Sequence, residues 1–501
     1  MPLFSPFYGQ VYGQETVEGQ IPDSVEIHAL TQLYLSTDGE EWEDNKNWLK
    51  ANKWPDWEGV TYENGDVVEL NLRSNGLEGT IPDALYDLIA LEVLDLSRNQ
   101  LTGRISKKIG QLTQMKFLEL FRNRLSGTFP AEFEKLSKIL LLSVSVNNFG
   151  GEVPSVLYEL TSLQELHIGA NSFSGQITEN IGNLINLEVL DMGENYFEGM
   201  LPSSLGHLSK LERLNLDFNL LSGTIPGSFA NLTSLELLDV SYNQLSGPIP
   251  QFLADLPLRW FWVDANQFTS YPDFSQHPDP ESLFITFDQN RLDFGDLEPN
   301  WTESGSIFSY PRYDNQDSVA TFYDPSSMTY SVEVAGEYNQ YQWFRNGEVI
   351  TGATTASLTF NPSTNHRNQQ GTDTYQCRIT NTRITDLTLW SRSTTTHSGR
   401  YYAIADGDWH SPIWSREPGG ARTDQVPGAG SEVFIEGKNV VVSRDASCGP
   451  VHVVIKGAGA SLVVDAADLT IQGTLELTKA TEGFPGGVKA VNGGRVIPLA
   501  N

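Results

Sequence analysis

Short segments of this chain alternate apolar and polar residues, and they return every 24 residues through its middle half. In one copy, LEVLDLSRNQLTGRIS, leucines precede a fixed asparagine, another leucine follows it by two positions and a glycine follows it by four. The asparagines are Asn75, Asn99, Asn123, Asn147, Asn171, Asn195, Asn219, Asn243, Asn266 and Asn290, with one step of 23 residues. A period of this length predicts a stack of repeated structural units rather than a single helix or strand.

Each recurring offset within the unit has a physical interpretation. The Leu-x-Leu alternation predicts a short strand whose apolar face is buried when neighbouring units stack. The asparagine at the strand end is expected to bond the backbone of adjoining turns, so that a column of asparagines forms a ladder. Glycine permits the tight bend that follows, and proline fixes φ where the chain leaves that bend. These residues are therefore assigned to the framework and not to a functional site.

The repeat resembles the plant-type leucine-rich repeat, LxxLxxLxLxxNxLxGxIPxxL. About ten copies fit between residues 67 and 299, and this range is predicted to be a leucine-rich repeat solenoid. The last two copies depart from the pattern, because QFTSYP follows Asn266 and RLDFGD follows Asn290. Degraded terminal copies are expected, since an end unit must present a polar outer face.

Residues 22–66 are predicted to form an amino-terminal cap. HALTQLYLST (28–37) has the apolar spacing of a short helix, and Trp42, Trp48, Trp54 and Trp57 are expected to pack in the cap core. The segment WEGV before the first repeat resembles the cap of plant-type repeat proteins, but the usual cysteine pair is missing. This cysteine-free form resembles repeat proteins of Bacteroidetes bacteria.

Residues 300–317 are predicted to be a linker, and residues 318–398 a separate β-domain. YQWFRNGEVITGATTASLTF (341–360) predicts a hairpin around an Asn-Gly turn. With GTDTYQCRITN (371–381), it resembles an immunoglobulin-like sandwich, which implies a core role for Trp343 and a tyrosine corner at Tyr375. The predicted strand that precedes this hairpin, MTYSVEV (328–334), contains no cysteine to pair with Cys377, so Cys377 is expected to be a buried free thiol.

Residues 399–501 contain short Val/Ile-rich segments separated by glycine, which predict a β-solenoid or a small sandwich. GDWHSPIWS followed by QVPGAGSEVFIEGKNVVV resembles the opening of β-helix domains in secreted bacterial surface proteins. Ile413 replaces the usual threonine of that pattern, and Ser431-Glu432 occupies its acidic position. The predicted fold class is thus multidomain and mainly β: a repeat solenoid, an immunoglobulin-like sandwich and a β-helix-like segment.

The 501 residues include 63 acidic and 32 basic side chains, a formal net charge of −31. This balance disfavours nucleic acid and anionic lipid as partners, although calcium could bind loosely to acidic patches. The two cysteines provide no disulfide framework, and no run of about 18 apolar residues predicts membrane insertion. Residues 1–21, predicted to be a disordered tail, lack a recognisable signal peptide. The resemblances nevertheless imply an extracellular or cell-surface protein.

Signatures of catalysis are missing from the sequence. It contains no HExxH, no Gly-x-Ser-x-Gly elbow and no P-loop, and its eight histidines lack metal-ligand spacing. We therefore predict no catalytic residue, no metal site and no cofactor.

The repeats do predict a binding surface. Side chains one, two, four and six positions before each asparagine should point outward on the concave sheet, because strand side chains alternate. Repeat proteins commonly bind through that surface. The predicted ligand-binding residues are Asp95, Phe117, Glu119, Phe121, Asp191, Arg213, Phe218, Asp239, Tyr242, Trp260, Trp262, Asp264 and Phe284. Phe117 and Phe121 form one aromatic spot, and the aromatics from Phe218 onward form a larger one.

Two functions from different classes follow. The favoured hypothesis is a non-enzymatic adhesion or recognition protein that binds a protein or a glycan on the concave face. The alternative is a targeting module of a larger polysaccharide-acting enzyme. A plant receptor ectodomain is disfavoured by the cysteine-free cap and by the lack of a membrane span or kinase. A competing interpretation of the larger aromatic spot is that the next domain or the linker covers Trp260 and Trp262.

Overall fold

The structure is a computed structural model that describes residues 24–50, 53, 56–302, 305–308, 311–313, 316–324, 329–359 and 371–403, and short strands between 407 and 498. Those strands cover 407–408, 414–415, 431–436, 439–442, 446–450, 452–456, 461–465, 468–472, 475–477, 487–491 and 495–498. The chain divides into two compact units, 1–290 with 307–312, and 291–306 with 313–501. The predicted tail, residues 1–21, lies outside the described residues. Among the described helices, none has the length and apolar character needed to cross a membrane.

The first unit begins with a helix, Ser24–Ser36, followed by a 3₁₀ turn, Gly39–Glu41. Trp42, Trp48 and Trp57 are buried beside this helix, as predicted for the cap core. The rings of Trp42 and Trp57 lie 4.8 and 5.0 Å from that of Trp48. Trp54 lies outside the described residues.

An eleven-stranded sheet runs through the repeats, one strand for each copy, and adjacent copies pair in parallel. Its first strand, Val60–Glu63, pairs antiparallel with Asp66–Asn71 as part of the cap. The other nine strands are Val93–Asp95, Phe117–Glu119, Leu141–Ser143, Glu165–His167, Val189–Asp191, Arg213–Asn215, Leu237–Asp239, Trp260–Trp262 and Phe284–Thr286. The predicted solenoid strands are therefore confirmed.

A second, nine-stranded parallel sheet follows the asparagines. Its strands are Glu78–Thr80, Gln100–Gly103, Arg124–Gly127, Asn148–Glu152, Ser172–Gln176, Tyr196–Met200, Leu220–Gly223, Gln244–Pro248 and Gln267–Ser270. A 3₁₀ helix closes most copies: Asp83–Asp87, Lys107–Gln111, Ala131–Lys135, Ser155–Glu159, Glu179–Asn183, Ser203–His207, Gly227–Asn231 and Gln251–Asp255. Proline directly precedes six of these eight helices, where its fixed φ suits the entry.

The predicted asparagine ladder is present. Asn123 accepts a hydrogen bond from the backbone nitrogen of Leu101 at 3.0 Å. Its Nδ2 donates to the carbonyl oxygens of Leu96 and Leu120 at 2.9 and 3.1 Å. One side chain thus satisfies backbone groups of two successive copies, and the same pattern recurs at the other repeat asparagines.

Glycine stands at the fourth position after each of the first eight repeat asparagines, where the chain bends. Gly79 has φ +126°, and a Cβ at this position would collide with the carbonyl oxygen of Ser36. In the core beside these bends, the rings of Phe149, Phe173 and Phe197 stack with successive centroids 6.3 and 6.4 Å apart. Packing between copies therefore combines leucine burial with an aromatic column.

The second unit opens with a short helix, Phe294–Leu297, a 3₁₀ turn, Glu298–Asn300, and paired strands Trp301–Thr302 and Gly305–Ser306. The described residues of this segment from 300 onward belong to the predicted linker, 300–317. Trp301 and Tyr313 are buried there, with ring centroids 5.2 Å apart. The segment is therefore folded where it is described.

Two antiparallel sheets follow. One contains Thr321–Asp324, Thr329–Val332 and Ser357–Thr359, and the other Glu348–Val349, Asn339–Arg345, Gly371–Asn381, Thr388–Trp390 and Thr394–Ala403. The predicted hairpin is confirmed, since Asn346 and Gly347 join two paired strands with φ of 52° and 83°. Trp343 is buried opposite Cys377, which is a buried free thiol as expected. Burial raises the pKa of this thiol to about 12.

The remaining strands pair mainly in parallel. Thr394–Ala403 continues into Ser431–Glu436, His452–Lys456 and Leu475–Leu477, and also pairs antiparallel with Trp414–Ser415. A second parallel sheet contains Gly407–Asp408, Asn439–Val442, Ser461–Asp465 and Gly487–Val491. A third contains Ala446–Pro450, Asp468–Gln472 and Arg495–Pro498. Successive turns of the chain thus add one strand to each of three sheets.

Candidate ligand-binding face

The outward side of the eleven-stranded sheet, here called the strand face, carries the predicted site residues. Leu94 and Leu96, five and three positions before Asn99, are buried in the core. Residues between them therefore point to the other side of the sheet. Asp95 pairs in register with Glu119, and the row continues through every copy to Thr286. Two of the predicted outward positions, four and six before each asparagine, therefore form continuous rows of neighbours, here called the four-before and six-before columns.

The amino-terminal aromatic spot is paired with arginines of the same face. The guanidinium of Arg73 lies 4.9 Å from the ring centroid of Phe121, and that of Arg98 lies 5.4 Å from it. Arg73 also lies 3.7 Å from Asp95 and 3.8 Å from Glu119. At this end of the face, the charges of Arg73, Asp95 and Glu119 and the ring of Phe121 therefore already make contacts within the protein.

Phe117, the other member of this spot, is half-buried in its strand between Val93 and Leu141. It belongs to the six-before column, as predicted.

Two predicted carboxylates are held by serines of their own copies. The backbone nitrogen and hydroxyl of Ser97 donate to Asp95 at 2.9 and 2.6 Å, and those of Ser241 donate to Asp239 at 3.0 and 2.6 Å. Both carboxylates are buried, with 2% and 6% exposure. These hydrogen bonds therefore hold the two carboxylates, and the chain that carries the serines, in place at the strand ends. Burial still raises the pKa of Asp239 to about 6, against the opposing hydrogen bonds from Ser241.

A histidine lies between two carboxylates at the centre of the face. His167 Nε2 is 2.9 Å from Glu165, and its Nδ1 is 3.9 Å from Asp191. Burial alone would lower the histidine pKa, but hydrogen bonds and charge from Asp191 and Glu165 outweigh it and raise that pKa to about 9. His167 is therefore a cation at neutral pH.

Asp217 lies on the same face, two positions before Asn219, and was missed by the sequence prediction. Burial, together with the charges of Asp239, Asp191 and Glu194, raises its pKa to about 7. A Cβ at Gly193, the equivalent position of the preceding copy, would collide with Asp217 Oδ1. The glycine was the available signal, because it leaves room for the neighbouring carboxylate.

Phe218 and Tyr242 form an exposed aromatic stack. Their centroids are 4.0 Å apart with an interplanar angle of 8°, and the side chains are 49% and 44% exposed. Both residues directly precede a repeat asparagine and have positive φ, 45° and 53°. Bulky residues rarely adopt this conformation, which the ladder imposes at every copy.

A second aromatic group occupies the last two strands. Trp260 and Phe284 are 37% and 38% exposed, whereas Trp262 is half-buried with its ring perpendicular to that of Phe284, 6.4 Å away. Trp260 and Phe284 are thus partly exposed, and the ligand-site interpretation of this spot stays a prediction.

Asp264 is half-buried beside this group and accepts hydrogen bonds from the Thr286 hydroxyl and, at 2.8 Å, from the Asp288 nitrogen. Burial raises the pKa of Asp264, although these hydrogen bonds and the charge of Arg312 act to lower it. The last predicted residue, Arg213, is half-buried in the six-before column between Val189 and Leu237. The carboxy-terminal half of the face thus carries aromatic side chains and carboxylates but few cationic side chains.

Among the described residues, no group of three or more His, Cys, Asp or Glu side chains is arranged to hold a metal ion. The prediction of loosely bound calcium stays a prediction.

Comparison with known proteins agrees with the repeat architecture. The family model described as "Leucine rich repeat" matches residues 66–125, 161–221, 185–245 and 210–268. No protein with a curated description matched the sequence.

Several solved structures are similar. The ectodomain of the Arabidopsis thaliana receptor kinase GASSHO1/SCHENGEN3, in complex with CASPARIAN STRIP INTEGRITY FACTOR 2, is 29% identical, with a TM-score of 0.52 over 59% of this chain and 36% of its own. The Arabidopsis HAESA ectodomain, in complex with an extended IDA peptide hormone, is 26% identical, with a TM-score of 0.45 over 58% of this chain and 53% of its own. A plant ice-binding protein is 24% identical, with a TM-score of 0.48 over 58% of this chain and 96% of its own.

This chain spans just over a third of the first receptor and about half of the second. Residues 66–268 therefore contain leucine-rich repeats, in a solenoid similar to that of a plant receptor-kinase ectodomain.

Proposed function

We propose that the protein is a non-enzymatic extracellular recognition or adhesion protein whose strand face binds a protein or a glycan. The observation that carries this proposal is the half-exposed stack of Phe218 and Tyr242. Rigid aromatic side chains gain much contact area at little entropic cost when a partner covers them.

The similar receptor ectodomain supports a protein or peptide as the ligand. GASSHO1/SCHENGEN3 holds CASPARIAN STRIP INTEGRITY FACTOR 2 in its complex, and this solenoid has the same fold. Solenoids of this kind bind through extended rows of outward side chains, such as the two columns described above. The identity of the ligand depends on those side chains and is not carried over with the fold.

The second unit supports a surface protein of several domains. We propose an immunoglobulin-like domain at 318–398, because two antiparallel sheets accompany the buried Trp343 and Tyr375. We propose a β-helix at 399–501, because its successive strands add in parallel to three sheets. A cap at 22–66, a solenoid at 67–299 and a connecting segment at 300–317 complete this organisation. The cysteine-free cap favours a bacterial source.

The alternative function, a targeting module of a polysaccharide-acting enzyme, rests on the same three parallel sheets. In that case the strand face would select polysaccharides and a β-helix would carry the chemistry.

The test is to screen the full chain on arrays of extracellular proteins, peptides and glycans. We expect a bound ligand that is lost with the double variant Phe218→Asn/Tyr242→Asn. Val146→Asn is the matched control, because Val146 occupies the same offset, is exposed and has φ 58°. Asparagine tolerates positive φ, so neither variant strains the backbone. Absence of any ligand, or a ligand retained by the double variant, would refute the proposal, and exclusive polysaccharide binding would favour the alternative.

A further inference from the structure

The exposed apolar surface of the strand face and its rim is concentrated in the carboxy-terminal repeats. It includes side chains directly before and after the repeat asparagines, and the two that directly precede Asn219 and Asn243 stack on each other. Its exposed members are Tyr196, Phe218, Leu220, Tyr242, Trp260 and Phe284. An apolar surface shared by several copies is typical of an interaction site rather than of scattered exposed residues.

Carboxylates surround this surface. Glu194 is exposed directly before Asn195, and Asp217 directly precedes Phe218. Asp191, Asp264 and Asp288 lie half-buried on the same face. These side chains give the carboxy-terminal half of the face a negative potential.

The cations that face this region are fewer. His167 is already paired with Glu165 and Asp191, and Arg312 acts on Asp264. Arg213, in the six-before column, is a further cation on the strand face. The amino-terminal copies differ, because there Arg73 and Arg98 contact the aromatic ring of Phe121.

A ligand that fits this surface must present apolar area and positive charge together. Lysine and arginine side chains do so, because an aliphatic stem lies on apolar surface while the charged head reaches carboxylates. A guanidinium also stacks on an aromatic face, as Arg73 does on Phe121 within this protein. A neutral glycan would stack on the rings but would gain less from the surrounding charge.

We infer that the surface around Phe218, Tyr242 and Trp260 docks an extended polypeptide segment that carries lysine or arginine next to apolar side chains. This inference rests on the proposed function and specifies its partner. Charge complementarity selects the basic segment, and the aromatic stack supplies the contact area.

The test uses three synthetic peptides of one length and one apolar pattern, with arginine, glutamine or glutamate at the alternating polar positions. Binding of the full chain is measured by fluorescence anisotropy at about 150 mM salt, where long-range attraction to a net charge is largely screened. We expect the arginine peptide to bind about tenfold more tightly than the glutamine peptide, and the glutamate peptide not to bind.

Two pairs of charge-neutralising variants separate a local site from attraction to the acidic chain as a whole. Glu194→Gln/Asp217→Asn removes two carboxylates at the surface. Glu152→Gln/Glu198→Gln removes two exposed carboxylates from the nine-stranded sheet, and both pairs are compared at pH 8, where Asp217 is ionised and the two pairs change the net charge by similar amounts. We expect the first pair to weaken binding of the arginine peptide several-fold and the second pair to leave it unchanged.

Equal loss in both pairs, or equal affinity for the arginine and glutamine peptides, would overturn the inference. A neutral or acidic peptide, or a glycan, whose binding is lost in Phe218→Asn/Tyr242→Asn would overturn it while leaving the proposed function intact. If the array screen yields no ligand and the arginine peptide also fails to bind, both fail.

Discussion

The rings of Phe218 and Tyr242 stack 4.0 Å apart and nearly parallel, although both residues have positive φ and about half of each side chain faces solvent. Two bulky residues thus occupy a backbone conformation that disfavours them, at a place where only about half of each side chain is buried. The ladder asparagines impose that conformation, so the rings themselves are dispensable for the fold.

Replacing both rings should therefore change binding without changing stability much. For Phe218→Asn/Tyr242→Asn we expect a free energy of unfolding within about 1 kcal/mol of wild type, since asparagine relieves strain while the stack loses a contact of similar size. Urea unfolding followed by circular dichroism measures this. A loss of several kcal/mol would show that the stack belongs to the framework.

The two outward columns could be predicted from the sequence because strand alternation and the 24-residue period together determine them. Which members are exposed could not, because exposure depends on neighbours one copy away. Asp95 is covered by contacts with Ser97 and Arg73, whereas Asp217 occupies the space that Gly193 leaves open, and burial there raises its pKa. Tyr196 and Leu220 were missed because they follow the asparagine rather than precede it.

The ladder predicts a sharp contrast between adjacent asparagines. Asn147 accepts from the Leu125 nitrogen at 2.9 Å and donates to the carbonyls of Leu120 and Val144. Asn147→Ala leaves these backbone groups without partners, so we expect a loss of about 2–4 kcal/mol in the free energy of unfolding. Asn148→Ala, at an exposed position, should cost less than about 0.5 kcal/mol. Equal effects in a denaturant titration would contradict the ladder role.

His167→Gln should destabilise the protein only where the histidine is charged. The folded-state pKa of His167, about 9, lies above its ordinary value, so its contribution is fully present below pH 6.5 and is lost as pH rises through 9. We expect the variant to be less stable by about 1–3 kcal/mol at pH 6 and nearly equal to wild type at pH 10. The measurement is urea unfolding at both pH values, with His207→Gln, an exposed histidine, as the control. A difference independent of pH would indicate lost packing instead.

Asp217→Asn should improve stability and impair binding, and both effects should grow with pH. The folded-state pKa of Asp217 is raised to about 7 by burial and by the charges of Asp239, Asp191 and Glu194, so the contribution of this carboxyl to stability is most favourable below pH 3.8 and is lost as pH rises from there through 7. Asparagine does not ionise, and the variant should gain about 1 kcal/mol in unfolding free energy at pH 8 and nothing at pH 4. Binding of the arginine peptide should weaken over the same range, because only the ionised carboxylate attracts it. A variant less stable than wild type at pH 8 would show instead that the Asp217 carboxylate supports the fold. A gain in stability together with a loss in binding affinity is the result required of a carboxylate that is kept for binding.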